Sequence, residues 1–202
     1  MKYFLHDNDL PREINIGNSI AIDTETTGLN LTRDRLCLIQ ICTENKEIHL
    51  IKIGKNSKSP IITEILCNKN ILKIFHFARF DLAVLMKKLN CSISNVYCTK
   101  VASKLARTST DSHSLKTLVL NYLSIEIPKF EQTSDWGTAN LSSSQLEYAA
   151  SDVLYLHQLK NMLDKVLIRE GRHKIAKDIF NFLPKLSMLD LQGWEVNSLL
   201  SH

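Results

Sequence analysis

Hydrophobic positions in the first half of the chain follow the patterns of β-strands, with helical spacing between some of them. An apolar run beginning at Ser19 predicts a strand, and the polar turn "ENK" joins two further strands as a hairpin. Pro60 suits the first turn of a helix. The predicted elements are strands over 19–23, 35–43 and 46–53, a helix over 61–68, a strand over 70–77 and a helix over 78–90.

The second half, from about residue 99, has mostly the 3.6-residue period of helices. The predicted helices cover 99–107, 114–123, 142–171 and 173–186. The third segment exceeds the usual length of a globular helix, so it predicts one long helix or two consecutive ones. Ser142 and Gln145, three residues apart, have the pattern of a capping box at its start.

The order of these elements predicts an α/β fold with three layers, a mixed central sheet and a helical C-terminal half. We expect one domain over residues 1–202, a length at which a single core is usual. No apolar run could span a bilayer and residues 1–12 do not resemble a signal peptide, so we expect a cytoplasmic protein without membrane contact. The five cysteines form no CxxC pair, which favours free thiols. The net charge of +4 permits nucleic-acid binding without demonstrating it.

Four acidic residues stand where an isolated carboxylate would be unfavourable. Asp23 and Glu25 are one residue apart at the end of an apolar strand, so their side chains point to the same face. Asp81 begins a helix after a buried strand, and Asp152 lies on an apolar helix. An unpaired buried charge is strongly penalised, whereas a shared cation would relieve all four. Hard oxygen ligands of this number predict two divalent cations, Mg²⁺ or Mn²⁺.

Tyr148 lies one helical turn before Asp152 and on the same helical face. Two bound ions can stabilise the attacking and leaving oxygens of a phosphodiester displacement and activate the attacking water. Tyr148 is placed to orient that water by a hydrogen bond. Taken singly, Asp23 would be an ordinary strand end and Tyr148 an ordinary core residue. The joint pattern favours catalysis by Asp23, Glu25, Asp81, Tyr148 and Asp152.

The segments that carry these residues resemble the three motifs of the DEDD 3′–5′ exonuclease superfamily, whose fold is ribonuclease H-like. The matching segments are "DTETTGL", "HFARFDL" and "YAASDVLYL". The resemblance implies that Asp23 and Glu25 are metal ligands of the first motif, Asp81 of the second and Asp152 of the third. Tyr148, where one branch has histidine, indicates the tyrosine branch with the ribonuclease D proteins. "SLKTL" and "QTSDW" extend that likeness.

Further segments resemble the nanoRNase C group of these exonucleases. They are "RDRLCLIQ", "KIFHFARFDLAVL", "CTKVASKLART" and the closing "FLPKL" with "LDLQGW". Ribonuclease D proteins carry helical HRDC domains after the catalytic domain, and we expect none here because the chain ends too soon. The resemblance implies a 3′–5′ exoribonuclease that degrades very short RNA, above all 5′-phosphorylated diribonucleotides, to mononucleotides. It also implies a ring-like homo-octamer.

Several residues are candidates for substrate binding. Leu29 matches the position where dinucleotide-cleaving relatives place an apolar wedge between two bases, although alone it would be an ordinary turn-flanking leucine. His76 and Phe77 are expected to line the cleft beside the metals. The cations near or after the second motif are candidates for the 5′ phosphate, as a cluster rather than singly. They are Arg79, Lys104, Arg107, His113 and Lys116.

Three other functions stay open at this point. A ribonuclease D-like enzyme that trims the 3′ ends of longer structured RNA such as tRNA would use the same catalytic residues. A DNA exonuclease is a second alternative, because preference for the ribose 2′-hydroxyl cannot be read from the sequence. The third is a catalytically silent nucleic-acid-binding module, against which the complete set of acids and Tyr148 argues.

Overall fold

A six-stranded mixed sheet in the order β1-β4-β3-β2-β5-β6 forms the centre of the fold. The computed structural model describes residues 1–127 and 134–201, so Gln132 and Thr133 of the "QTSDW" segment lie outside the described residues. The strands are β1 (Phe4–Asp7), β2 (Ser19–Thr26), β3 (Leu36–Thr43), β4 (Ile48–Lys52), β5 (Leu72–Phe75) and β6 (Val96–Cys98). The helices are α1 (Pro60–Cys67), α2 (Ala78–Leu89), α3 (Thr99–Ala106), α4 (Leu115–Leu123), α5 (Ser143–Leu154), α6 (Leu156–Arg169), α7 (His173–Leu191) and α8 (Val196–Leu200).

The pairing of the strands confirms the predicted α/β fold with a mixed sheet. β2 pairs antiparallel with β3 and parallel with β5, and the predicted hairpin joins β3 to β4. The two outer pairs, β1 with β4 and β5 with β6, are parallel. β2 is therefore an interior strand, and its first four residues are buried. This strand carries the first two acids of the predicted site.

Helices cover both faces of the sheet around β2. α5 packs against β2, β3 and β4, and α2 packs against β2, β3 and β5. Alternation along a strand turns Asp23 and Glu25 to one face and Thr24 to the other. The contacts agree, because Asp23 and Glu25 approach Asp152 of α5 whereas Thr24 bonds Asp81 of α2. The acids of three elements thus meet at one end of the sheet.

The long segment predicted over 142–171 is two helices, with Tyr155 between α5 and α6. The predicted capping box begins α5: the Ser142 hydroxyl accepts from the Gln145 amide, and the Gln145 side chain accepts from the Ser142 amide. α7 continues past Pro184, beyond the predicted end at 186, to Leu191. No described helix is both long enough and apolar enough to cross a lipid bilayer.

Three short elements were not predicted: β1, β6 and α8. β6 has three residues, too few for a period to be visible, and β1 has an exposed pattern. Both are held by pairing with a neighbouring strand rather than by their own pattern. α8 is a five-residue helix whose Val196 is buried against the rest of the chain.

Candidate active site

Three carboxylates converge at the end of β2. One oxygen each from Asp23, Glu25 and Asp152 lies within 4.8 Å of the other two. The register between β2 and β3 shifts between Glu25 and Thr26, so the regular ladder ends where the acids gather. The capping box that begins α5 fixes the start of the helix that brings Asp152 to them.

Asp81 approaches the same site from the opposite face of the sheet. It is buried in the first turn of α2, where the helix dipole favours a negative charge. Thr24 lies between Asp23 and Glu25 in sequence. Its hydroxyl donates a hydrogen bond of 2.5 Å to the Asp81 carboxylate. The charge of Asp81 acts on Glu25, and that of Asp23 acts on Asp81. The structure therefore brings all four predicted acids together, with Asp81 outside the tightest group.

The clustering changes the protonation of these acids. Burial, with the charges of Asp23, Asp152 and Asp81 added, raises the pKa of Glu25 to about 9. Burial likewise raises the pKa of Asp23, and it raises the pKa of Asp81 and Asp152 well above their usual range with a further contribution from the charge of Asp23. Like charges in low dielectric disfavour ionisation, and a nearby cation reverses that preference.

These donors fit divalent cations of the hard type. All four are carboxylates, which suit Mg²⁺ and Mn²⁺ and offer no soft ligand that would favour zinc or copper. The strongly raised pKa of each acid is the electrostatic signature of a site whose charge is not balanced by the protein itself. Asp23, Glu25, Asp81 and Asp152 are therefore the residues able to hold such ions.

Tyr148 lies beside the carboxylates on the same face of α5 as Asp152. Its phenol interacts electrostatically with the Asp152 carboxylate, and its ring centroid is 6.2 Å from that of Trp136. Burial and then the charges of Asp152, Glu25 and Asp23 raise its pKa well above the usual range. Without bound metal the phenol is protonated near pH 7, so it can donate a hydrogen bond.

The acids form the floor of a cleft of about 1090 Å³. Its walls include three of the predicted substrate-binding residues with partly apolar character, Leu29, His76 and Phe77. Leu29 is 82% exposed and Phe77 53% exposed, so both offer apolar surface to the cleft. Phe77 also has a left-handed backbone, with φ of 71°, at the start of α2. Such an outlier in a bulky residue is typical of functional sites.

His76 is held in one tautomer. Thr99 donates its hydroxyl proton to the Phe75 carbonyl over 3.1 Å, so the 2.9 Å contact between His76 Nδ1 and Thr99 Oγ1 is donated by His76. Burial, aided by the charge of Lys100, lowers the pKa of His76 to about 4. The ring is therefore neutral near pH 7, and its Nε2 is a hydrogen-bond acceptor.

Of the five predicted phosphate-binding cations, the structure brings Lys116 to the cleft. Arg79 instead makes two bonds to Asp190, of 2.6 and 2.5 Å, and His113 is buried 2.8 Å from the Ser103 hydroxyl. Arg107 lies over the Tyr122 ring, and Lys104 is exposed on α3 outside the cleft. For these four a role in substrate binding stays a prediction that their present contacts do not support.

Sequence reasoning missed Lys100, whose Nζ lies 4.2 Å above the Phe77 ring centroid and which lines the cleft. Lys100 could have been found from its position two residues after β6, because His76 directly follows the neighbouring parallel strand β5 and both therefore lie at the same edge of the sheet. β6 was not recognised from the sequence, so this edge could not be assigned. Ser114, at the start of α4, also lines the cleft and was missed.

Comparisons with known proteins give consistent matches. The family model described as "3'-5' exonuclease" matches residues 7–168. Ribonuclease D of Zymomonas mobilis is 32% identical over 154 residues, 76% of this chain and 39% of that protein. The chain thus spans about two fifths of the length of the curated ribonuclease D relatives it matches.

Two solved structures agree with nearly the whole chain. Brucella melitensis NrnC bound to pGG has a TM-score of 0.96 and 48% identity, covering 100% of this chain and 99% of that one. The same protein with bound Mg²⁺ has a TM-score of 0.95 and 47% identity, with 100% of both chains covered. The likeness to the nanoRNase C group predicted from the sequence is confirmed.

Proposed function

The chain belongs to the 3′–5′ exonuclease family, in its ribonuclease D-like group with NrnC, and on this premise we propose that it is a metal-dependent 3′–5′ exoribonuclease acting on short RNA. The preferred substrates are 5′-phosphorylated diribonucleotides, and the products are nucleoside 5′-monophosphates. The observation that carries this proposal is the convergence of the Asp23, Glu25 and Asp152 carboxylates within 4.8 Å on the floor of an open cleft.

Asp23, Glu25, Asp81 and Asp152 hold two divalent cations, Mg²⁺ or Mn²⁺, in this proposal. When bound, such ions activate a water molecule and stabilise the charge on the attacking and leaving oxygens. Tyr148 donates a hydrogen bond that orients the water. The water oxygen attacks phosphorus and loses a proton, the bond from phosphorus to the ribose 3′ oxygen breaks, and the leaving 3′ oxygen takes up a proton to become the 3′ hydroxyl.

The walls of the cleft favour a two-base substrate. Leu29 and Phe77 offer exposed apolar surface, and contact with base faces is tolerant of sequence. Lys100, Lys116 and the neighbouring Ser114 supply positive charge and a hydroxyl donor for the 5′ phosphate. A relative of 48% identity, Brucella melitensis NrnC, has been solved with pGG.

Trimming of longer RNA is the second candidate function. Matches to ribonuclease D proteins agree with it. Binding over many phosphates would make its affinity strongly salt-dependent, unlike that of a dinucleotide site.

A time course with 5′-labelled RNAs of two, three, five and twenty nucleotides tests the proposal, with Mg²⁺ or Mn²⁺ and a chelator control. Consumption of the dinucleotide far faster than the others supports a dinucleotidase. Even shortening of the twenty-nucleotide RNA replaces it with the trimming function. A parallel series in DNA measures the preference for ribose.

Self-association into an octamer forms part of the proposal. Several large apolar side chains are exposed on α6, α7, α8 and the turn before α8. They are Ile168, Ile175, Phe182, Met188, Trp194, Leu199 and Leu200. Exposed apolar side chains of this kind are candidates for contacts between subunits. The number eight rests on the resemblance to the nanoRNase C group.

A further inference from the structure

The loop over 27–35, which carries Leu29, is more firmly fixed than its exposure suggests. Leu29 is 82% exposed and lines the cleft. A side chain so exposed gains little from packing, so its position depends on the backbone that carries it. Side chains of the loop and of α2 bond to that backbone at several points, and one of these bonds is accepted by the Asp34 carboxylate.

Asp34 links the two ends of the turn over residues 30–34, which directly follows Leu29. Its Oδ2 accepts from the Asn30 amide over 2.9 Å, and the Asp34 amide donates back to the Asn30 carbonyl over 2.8 Å. Arg33 donates to both carboxylate oxygens, over 2.9 and 3.1 Å. The Asp34 side chain is 9% exposed although the loop is on the surface. Most of its surface is therefore covered by neighbouring residues of the loop, including the Arg33 side chain.

Gly28 shows how closely this carboxylate lies under Leu29. A Cβ placed on Gly28 would overlap the Asp34 carboxylate. The φ of Gly28 is not in the left-handed region, so it is space rather than backbone conformation that requires glycine here. The residue directly before Leu29 thus rests on Asp34.

Asn30 and Lys87 complete the fixation. Asn30 Oδ1 accepts from the amides of Thr32 and Arg33 over 2.9 and 3.0 Å. Lys87 donates from α2 to the carbonyls of Leu31 and Thr32. α2 also carries Asp81, so the helix that supplies an acid of the site anchors the loop that supplies its exposed leucine.

We propose that Asp34 is a positioning residue that holds Leu29 in the orientation in which it contacts the bases of a two-base substrate. Pre-organisation of a contact residue lowers the cost of ordering it on binding. The inference rests on the proposed function and deepens it, because it assigns the recognition of two bases to the loop over 27–35, which hydrogen bonds hold in place. Asp34 itself touches neither the acids nor the cleft.

The test compares a two-base with a one-base substrate. A 5′-labelled diribonucleotide requires the contact with Leu29, whereas the p-nitrophenyl ester of thymidine 5′-monophosphate has a single base. Asp34→Ala is expected to raise KM for the dinucleotide about five- to twentyfold with a smaller change in kcat. Its activity on the ester stays unchanged. Gly28→Ala, which displaces the same carboxylate, has the same effect.

Two further variants make the comparison decisive. Glu170→Ala removes an equivalent ion pair between neighbours, Arg169 and Glu170 at 2.9 Å, and is the matched control with wild-type kinetics. Leu29→Ala reproduces the loss on the dinucleotide, and Leu29→Ala with Asp34→Ala is no worse than Leu29→Ala alone, because both act through one contact. Additive losses in the double variant overturn the proposal.

The remaining outcomes also support or overturn the positioning role of Asp34. Wild-type kinetics in Asp34→Ala beside a loss in Leu29→Ala overturn the positioning role, and so does an equal loss on both substrates. A wild-type enzyme that degrades long RNA as fast as the dinucleotide overturns the proposed function but not this inference. The comparison of two-base with one-base substrates still decides the role of Asp34 in that case.

Discussion

At Tyr148 a single substitution can distinguish a role in the reaction from a role in holding the metal site together. Its pKa is raised by burial and by the neighbouring acids, so it acts as a neutral hydrogen-bond donor. Tyr148→Phe removes the hydroxyl and keeps the ring beside Trp136. We expect kcat to fall by about 10²-fold, as for other positioned groups in proton transfer. Calorimetric titration with Mn²⁺ is expected to give wild-type affinity, and a parallel loss of affinity would count against the assignment.

The carboxylates are expected to be essential for turnover and dispensable for folding. Asp23→Ala or Asp152→Ala reduces activity to background, because each removes a proposed metal ligand and the effects of such residues are large. The melting temperature of the metal-free protein does not fall, since the change relieves repulsion among like charges. Asp178→Ala on α7, an exposed acid, is the control. Near-normal activity of either variant would contradict the assignment of these acids as ligands of two metal ions.

Glu25 makes the stability of the metal-free protein depend on pH. Its pKa rises from 4.5 to about 9 on folding, so between these values the folded state binds a proton that the unfolded state has lost. Stability therefore decreases as pH increases through this window. Glu25→Gln is expected to flatten this dependence and to stabilise the metal-free protein by on the order of 1–3 kcal/mol at pH 9. Urea unfolding at pH 5, 7 and 9 measures it. An unchanged slope in the variant would contradict the assignment.

At the scale of elements, α5 carries both Tyr148 and Asp152 and depends on its first turn. Ser142→Ala removes the side chain that accepts from the Gln145 amide. The expected loss is about 1 kcal/mol of unfolding free energy, the usual value of an N-cap. Ser143→Ala, in the first helical position, is the matched control. Equal stability of the two variants in urea unfolding would show that the Ser142 side chain does not stabilise the start of α5.

The sequence predicted those elements whose own pattern is strong and missed those held by neighbours. The acids of β2, α2 and α5 were predicted because several charges in apolar segments form a joint pattern, and the capping box because its spacing is local. Lys100 and the ion pair of Arg79 with Asp190 were not, since cations are common on surfaces and their partners are set by tertiary contacts. Features with a local sequence signal were thus predicted, whereas features that depend on contacts between residues distant in sequence were missed.

At the scale of the whole molecule, we expect self-association through the exposed apolar residues of the C-terminal helices. Light scattering should give a mass about eight times the 23.0 kDa of one chain. Trp194→Glu, on a side chain that is 56% exposed, is expected to reduce that mass, because a charge in an apolar interface is strongly unfavourable. Lys174→Glu on α7 is the control. A wild-type mass of 23.0 kDa would exclude the octamer.

The position of the acids also determines when activity can appear during folding. Asp23 lies on an interior strand and Asp152 on a helix 129 residues later, and they meet only when β2 is paired and α5 lies on the sheet. Contacts between segments so distant in sequence form slowly. During refolding from urea, helical circular dichroism should therefore recover before catalysis. Recovery of Mn²⁺ binding then reports completion of the sheet, which makes the metal site a probe of the last folding step.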